Sequence, residues 1–140
     1  MGDHHLEFFE GEFGGEITLN ANVIIHRDLR DSLPEPGPWA ELFRYFGPLP
    51  PFAGVVLLGW RSPGNACFGF NGLTFLSIRS DGTWERADVP YCAGPEPIIT
   101  STSSAITIRI PAAPPNRGTG IIPGETWVYR RGKVKKTRNN

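Results

Sequence analysis

His26 and Asp28 come nearest to a catalytic spacing in this 140-residue chain. On a strand, alternate residues project from one face, so the two side chains would point the same way. With one of the many serines they would supply the residue types of nucleophilic acyl transfer. That chemistry also needs a strained nucleophile elbow and an oxyanion hole, and no G-x-S-x-G occurs. His26 therefore reads as a polar residue at a strand end. Glu35, Glu41, Asp81, Glu85, Asp88 and Glu96 are the residue types of glycoside hydrolysis, in which two acids face each other across a groove. Most of them lie in turns or beside prolines, and turn geometry accounts for Asp81. Cys67, Cys92 and three histidines are metal-ligand types, but there is no CxxC and the histidines lie far upstream. No calcium loop is present, and no glycine-rich segment leads into a helix that could cradle phosphate. The sequence thus designates no catalytic, cofactor-binding or metal-ligating residue, and the chain reads as a non-enzyme.

Aromatic residues are in excess: Trp39, Trp60, Trp84 and Trp127, three tyrosines and nine phenylalanines. A β-domain of this size needs large inward side chains, which accounts for much of the set. Tryptophans all turned inward favour a structural protein; two or more exposed in a groove favour sugar stacking. Phe8, Phe9 and Phe13 differ, because Gly11, Gly14 and Gly15 beside them make a poor core element. They are expected to be anchors that dock on a neighbour.

The net charge is zero but unevenly placed. Asp3, Glu7, Glu10, Glu12 and Glu16 make the start acidic; Arg130, Arg131, Lys133, Lys135, Lys136 and Arg138 make the end basic. The basic run suits a solvated tail or a charged clamp on a neighbouring subunit. No basic face is legible elsewhere, which argues against nucleic acid.

The elements that would position these groups are strands. Seventeen glycines and 14 prolines fall between short apolar segments, which breaks helices and supplies turns. Residues 16–25 read as one or two strands with a bulge, and 53–60 as a buried strand. Residues 39–46 fit a strand, with a short helix as the competing reading. Residues 72–89 form a hairpin around Ser80-Asp81-Gly82-Thr83, because glycine accepts the positive φ of a primed turn. Ile106, Ile108 and Ile110 share one face of a strand over 105–110, and Trp127 and Tyr129 one side of a closing strand over 125–130. Cys67 and Cys92 flank the hairpin and could meet at its open end; free thiols and a disulfide both remain open.

About seven or eight strands at this spacing predict an all-β, antiparallel β-sandwich of jelly-roll or immunoglobulin-like type. It is expected over residues 16–130, with an N-terminal arm over 1–15 and a basic tail over 131–140. No apolar run approaches the ~20 residues of a membrane-spanning helix. The start lacks the basic and apolar regions of a signal peptide, so synthesis and folding in a cytoplasm are expected.

The stretch Leu76-Ser77-Ile78-Arg79-Ser80-Asp81-Gly82-Thr83-Trp84 resembles a turn of β-rich virion proteins of tailed bacteriophages, and Ile121-Ile122-Pro123-Gly124-Glu125-Thr126-Trp127 is similar to strand entries there. The same hairpin resembles sugar-binding jelly-roll domains of the concanavalin type. The first resemblance implies a capsid decoration, head–tail or tail protein whose partners are identical or neighbouring subunits in a virion. The second implies a carbohydrate-binding module as the alternative.

Overall fold

The computed structural model describes residues 4–11, 14–28, 40–61, 70–90, 96–112, 120–121 and 123–137. Phe13, Glu35, Trp39, Cys67, Cys92 and Arg138 lie outside the described residues. So do the side chains of Phe8, Glu10, His26, Asp28, Glu41 and Trp60.

Eleven strands are present among the described residues, in three antiparallel sheets. The N-terminal sheet contains β1 (Leu6–Gly11), β2 (Gly14–Leu19) and β3 (Asn22–Asp28). The central sheet contains β4 (Ala40–Tyr45), β5 (Gly54–Arg61), β6 (Phe70–Ile78) and β7 (Trp84–Val89). The C-terminal sheet contains β8 (Ile98–Ser101), β9 (Ile106–Ile110), β10 (Glu125–Arg130) and β11 (Lys133–Lys136). In every sheet, hydrogen-bonded neighbours are also neighbours in the chain. The fold is all-β and antiparallel, built of three meanders. A Greek-key crossover, which jelly-roll and immunoglobulin sandwiches both contain, is not among the pairings of the described residues.

The central sheet is apolar on both faces, and this is why the sheets stack. Val55 and Leu57 of β5, with Leu73 and Phe75 of β6, pack against Ile106 and Ile108 of β9 and Tyr129 of β10. Val56 and Leu58 of β5, with Leu76 of β6, pack against Ile17 of β2, flanked by Leu6, Ile24 and Trp84. A strand buried on one face alternates apolar and polar residues, whereas one buried on both reads as a continuous apolar run. Val55-Val56-Leu57-Leu58 is such a run. Arg44 of β4 donates to the Ile99 carbonyl of β8 at 3.3 Å, and β7 lies beside β11, so the central and C-terminal sheets superpose edge over edge.

Three hairpins turn by two means. Between β6 and β7 only Gly82 has positive φ (90°), and its N–H donates to the Arg79 carbonyl at 3.0 Å. This is a type I turn closed by a left-handed glycine, where the sequence suggested a primed turn. Asp81 occupies an ordinary turn position and accepts from the Thr83 N–H at 2.9 Å and hydroxyl at 2.6 Å. The primed geometry occurs instead at Asn20-Ala21 (φ 52° and 69°) and Arg131-Gly132 (φ 48° and 86°), each a two-residue loop.

Those two turns explain the extra strands. Asn20-Ala21 divides residues 16–25 into β2 and β3. Arg131-Gly132 returns the chain so that Lys133–Lys136 pairs with β10, with Val134 opposite Tyr129. Residues 133–136 are therefore a sheet edge, where the charge run suggested a tail. Residues 6–11 likewise form a strand against β2, where the glycines suggested an arm.

Candidate functional site

Tertiary structure sorts the charged residues by sheet face. In the C-terminal sheet, Ile99, Ile106, Ile108, Ile110, Trp127, Tyr129 and Val134 turn toward the central sheet. Strand alternation then fixes the opposite, outer face. One row across it runs Ile98, Arg109, Thr126; the next runs Thr100, Thr107, Val128, Lys135; Arg130 and Lys133 lie opposite each other at the end. The four strands contain one carboxylate, Glu125, which shares the inner alternation of Trp127. The outer face therefore carries Arg109, Arg130, Lys133 and Lys135 with no acid from its own strands. Arg131 stands exposed at the adjoining turn.

None of these five cations forms an ion pair with a described residue. Cations elsewhere do have partners. Arg79 pairs with Glu85 and lies 4.9 Å above the Phe52 ring. Arg86 pairs with Asp88 at 3.0 Å, and Arg44 lies 5.8 Å above Phe46. Lys136, also proposed from sequence, turns to the inner alternation and bonds Glu125 at 3.2 Å. The other Glu125 oxygen accepts from Trp127 Nε1 at 3.1 Å. Arg109 joins the outer-face group. A single arginine in Ile106-Thr107-Ile108-Arg109-Ile110 signals only an outward position; its company comes from the pairing of β9 with β10.

The far end of the stack has opposite character. Leu6 and Ile17 of the N-terminal sheet face the central sheet, so Glu7, Phe9 and Glu16 fall on the outer face. Phe9 and Val23 are 50% and 53% exposed, among the largest apolar exposures described. Glu7 pairs with His5 at 2.8 Å, both well exposed, and Glu16 is engaged within the chain. In the β1–β2 ladder Phe8 falls opposite Ile17 and Phe9 opposite Glu16.

A polar clasp fixes this sheet to the central one. His4 Nε2 lies 2.8 Å from the Ser80 carbonyl, and Nδ1 lies 3.0 Å from Asn20 Nδ2. Asn20 Oδ1 accepts from the His5 N–H at 2.9 Å. The Ser80 carbonyl is an acceptor and the Asn20 amide nitrogen a donor, so the two ring nitrogens of His4 meet groups of opposite hydrogen-bonding character.

Among the described residues, no group of side chains is gathered in an arrangement for catalysis. Three of the acids weighed for catalysis are used locally: Asp81 in its turn, Glu85 with Arg79, Asp88 with Arg86 and Thr74. No three His, Cys, Asp or Glu residues among the described ones cluster as metal ligands. No helix among the described residues is long and apolar enough to cross a membrane. Trp84 and Trp127 are half-buried against the two cores. No family model, curated protein or solved structure matches the chain.

Proposed function

We propose that this protein is a non-enzymatic structural component that binds neighbouring protein subunits, of the kind found as decoration, head–tail or tail proteins in tailed-phage virions. The observation that carries this reading is the segregation of cations without an ion-pair partner among the described residues onto one outer sheet face, with exposed Phe9 and Val23 at the other end of the same stack. Two cores hold the three sheets together, so the stack presents both ends on one body. Sheet faces with apolar residues among charges suit protein contacts. Phe9, Arg130, Arg131, Lys133 and Lys135 remain the partner-binding residues of this reading. Phe8, Phe13, Lys136 and Arg138 complete the original set.

The alternative is a carbohydrate-binding β-module, which needs exposed aromatic platforms. Both tryptophans whose side chains are described pack against the cores, which favours the structural role. Light scattering coupled to size-exclusion chromatography on the full chain tests the choice, alongside a glycan titration followed by tryptophan fluorescence. A defined oligomer without a glycan-induced change supports the assembly role. A monomer whose fluorescence shifts with glycan overturns it.

A further inference from the structure

The two outer faces of the stack are opposite in charge and alike in apolar content. One carries Arg109, Arg130, Lys133 and Lys135 around Ile98 and Val128, with Ile98 48% exposed. The other carries Glu7 and Glu16 around Phe9 and Val23. The flanking sequence extends the contrast: residues 1–16 contain five carboxylates and no Lys or Arg, and residues 130–138 contain six cations and no carboxylate. Within one chain these faces cannot meet, because the central sheet lies between them.

We propose that they meet between copies, the outer face of the C-terminal sheet of one chain packing on the outer face of the N-terminal sheet of the next. This contact presupposes the assembly role proposed above and specifies its partner as a second copy. Sheets pack face to face about 10 Å apart when apolar side chains interdigitate, which here would bring Phe9 and Val23 against Ile98 and Val128. The charges then surround an apolar centre, where they set encounter rate and register more than affinity. Each chain uses a different surface on each side, so the contact is heterologous. Repetition closes a ring or extends a filament, according to the rotation per step.

A nucleic-acid backbone is the competing occupant of the basic face. It would account for the cations but leave the acidic, Phe9-bearing face without a role. The second copy accounts for both.

Two exposed-surface variants of the full chain decide the matter. Lys133→Glu/Lys135→Glu reverses one face; Glu7→Lys/Phe9→Ser spoils the other. Melting temperatures close to wild type establish that both are folded. In sedimentation velocity at low salt, the wild type is expected to form a concentration-dependent series that shifts toward the 15.4 kDa monomer at high salt. Each variant alone is expected to remain a monomer. An equimolar mixture retains one intact pair of faces, so it is expected to give a one-to-one dimer of about twice the monomer mass that does not extend. Variants that assemble like the wild type overturn this contact and leave the assembly role standing. A mixture that stays monomeric also overturns it. A wild type that stays monomeric and binds a single-stranded oligonucleotide, with loss of that binding in Lys133→Glu/Lys135→Glu, replaces it with the nucleic-acid occupant.

Discussion

The hydroxyl of Ser77 on β6 lies 2.5 Å from the phenol of Tyr129 on β10, a polar bond inside the main apolar core. Both residues are fully buried, and the Tyr129 ring stacks on Phe75 with centroids 4.6 Å apart. The bond ties the central sheet to the C-terminal sheet at a point water does not reach. Truncating one partner strands the other in an apolar site. Tyr129→Phe and Ser77→Ala are each expected to cost about 1–3 kcal/mol. The double variant should cost less than the sum of the singles, measured by urea unfolding.

Tyr129 also sets an alkaline limit. Burial raises its pKa above the ordinary tyrosine value, against smaller lowering effects of the Ser77 and Gly132 hydrogen bonds, and the Glu85 charge raises it further. A raised native pKa means that the contribution is complete below about pH 10 and is lost as pH climbs from there through the native value. The wild type should lose stability over that range with a steeper slope than Tyr129→Phe, recorded as melting temperature against pH.

At the other end of the scale, Asp81 is fully exposed yet held below the ordinary carboxylate range. The Thr83 hydroxyl bond contributes most, followed by the Thr83 backbone N–H, with Arg79 helping electrostatically against slight desolvation. A depressed pKa stabilises above about pH 4 and ceases to do so as pH falls through the native value. Asp81→Asn keeps an acceptor for the turn and should flatten the acid limb of the stability profile. Asp81→Ala should lower the melting temperature at neutral pH as well.

Leu57 and Leu58 are adjacent on β5, fully buried, and face different cores. Because the central sheet is covered on both sides, Leu57→Ala and Leu58→Ala should each cost about 2–5 kcal/mol in chemical denaturation. A near-neutral Leu58→Ala would mean that the N-terminal sheet does not cover that face in solution.

Turn backbone offers a test with the opposite sign. Ala21 has a φ of 69°, a left-handed conformation that an alanine Cβ resists. Ala21→Gly should stabilise by about 0.5–1 kcal/mol, the relief exceeding the added unfolded-state entropy. Gly132→Ala should destabilise twice over. Its φ is 86°, and a Cβ there would lie 3.0 Å from the Phe52 ring.

Local pattern determined much of this protein without reference to its fold. Alternation at Ile106, Ile108 and Ile110 fixed which side of β9 is buried, and the inward sides of Trp127 and Tyr129 followed in the same way. Asp81-Gly82 marked the hairpin, since few residues tolerate the φ that Gly82 adopts. The all-β class followed from prolines and glycines spaced too closely for helices. Three sheets instead of two were not legible. A doubly buried strand such as Val55-Val56-Leu57-Leu58 carries no mark of what covers its second face, because apolar side chains gain from burial without regard to partner. The strands Leu6–Gly11 and Lys133–Lys136 were equally hidden. Their polar residues look like solvated ends until Arg131-Gly132, and the pairing with β2, place their backbones in ladders. The candidate surface divides along the same line. The sequence supplied the basic run and the exposed Phe9. Only strand pairing brought Arg109 to Arg130, Lys133 and Lys135 and turned Lys136 to the other face, because side-chain direction in a sheet depends on register with a partner distant in the chain.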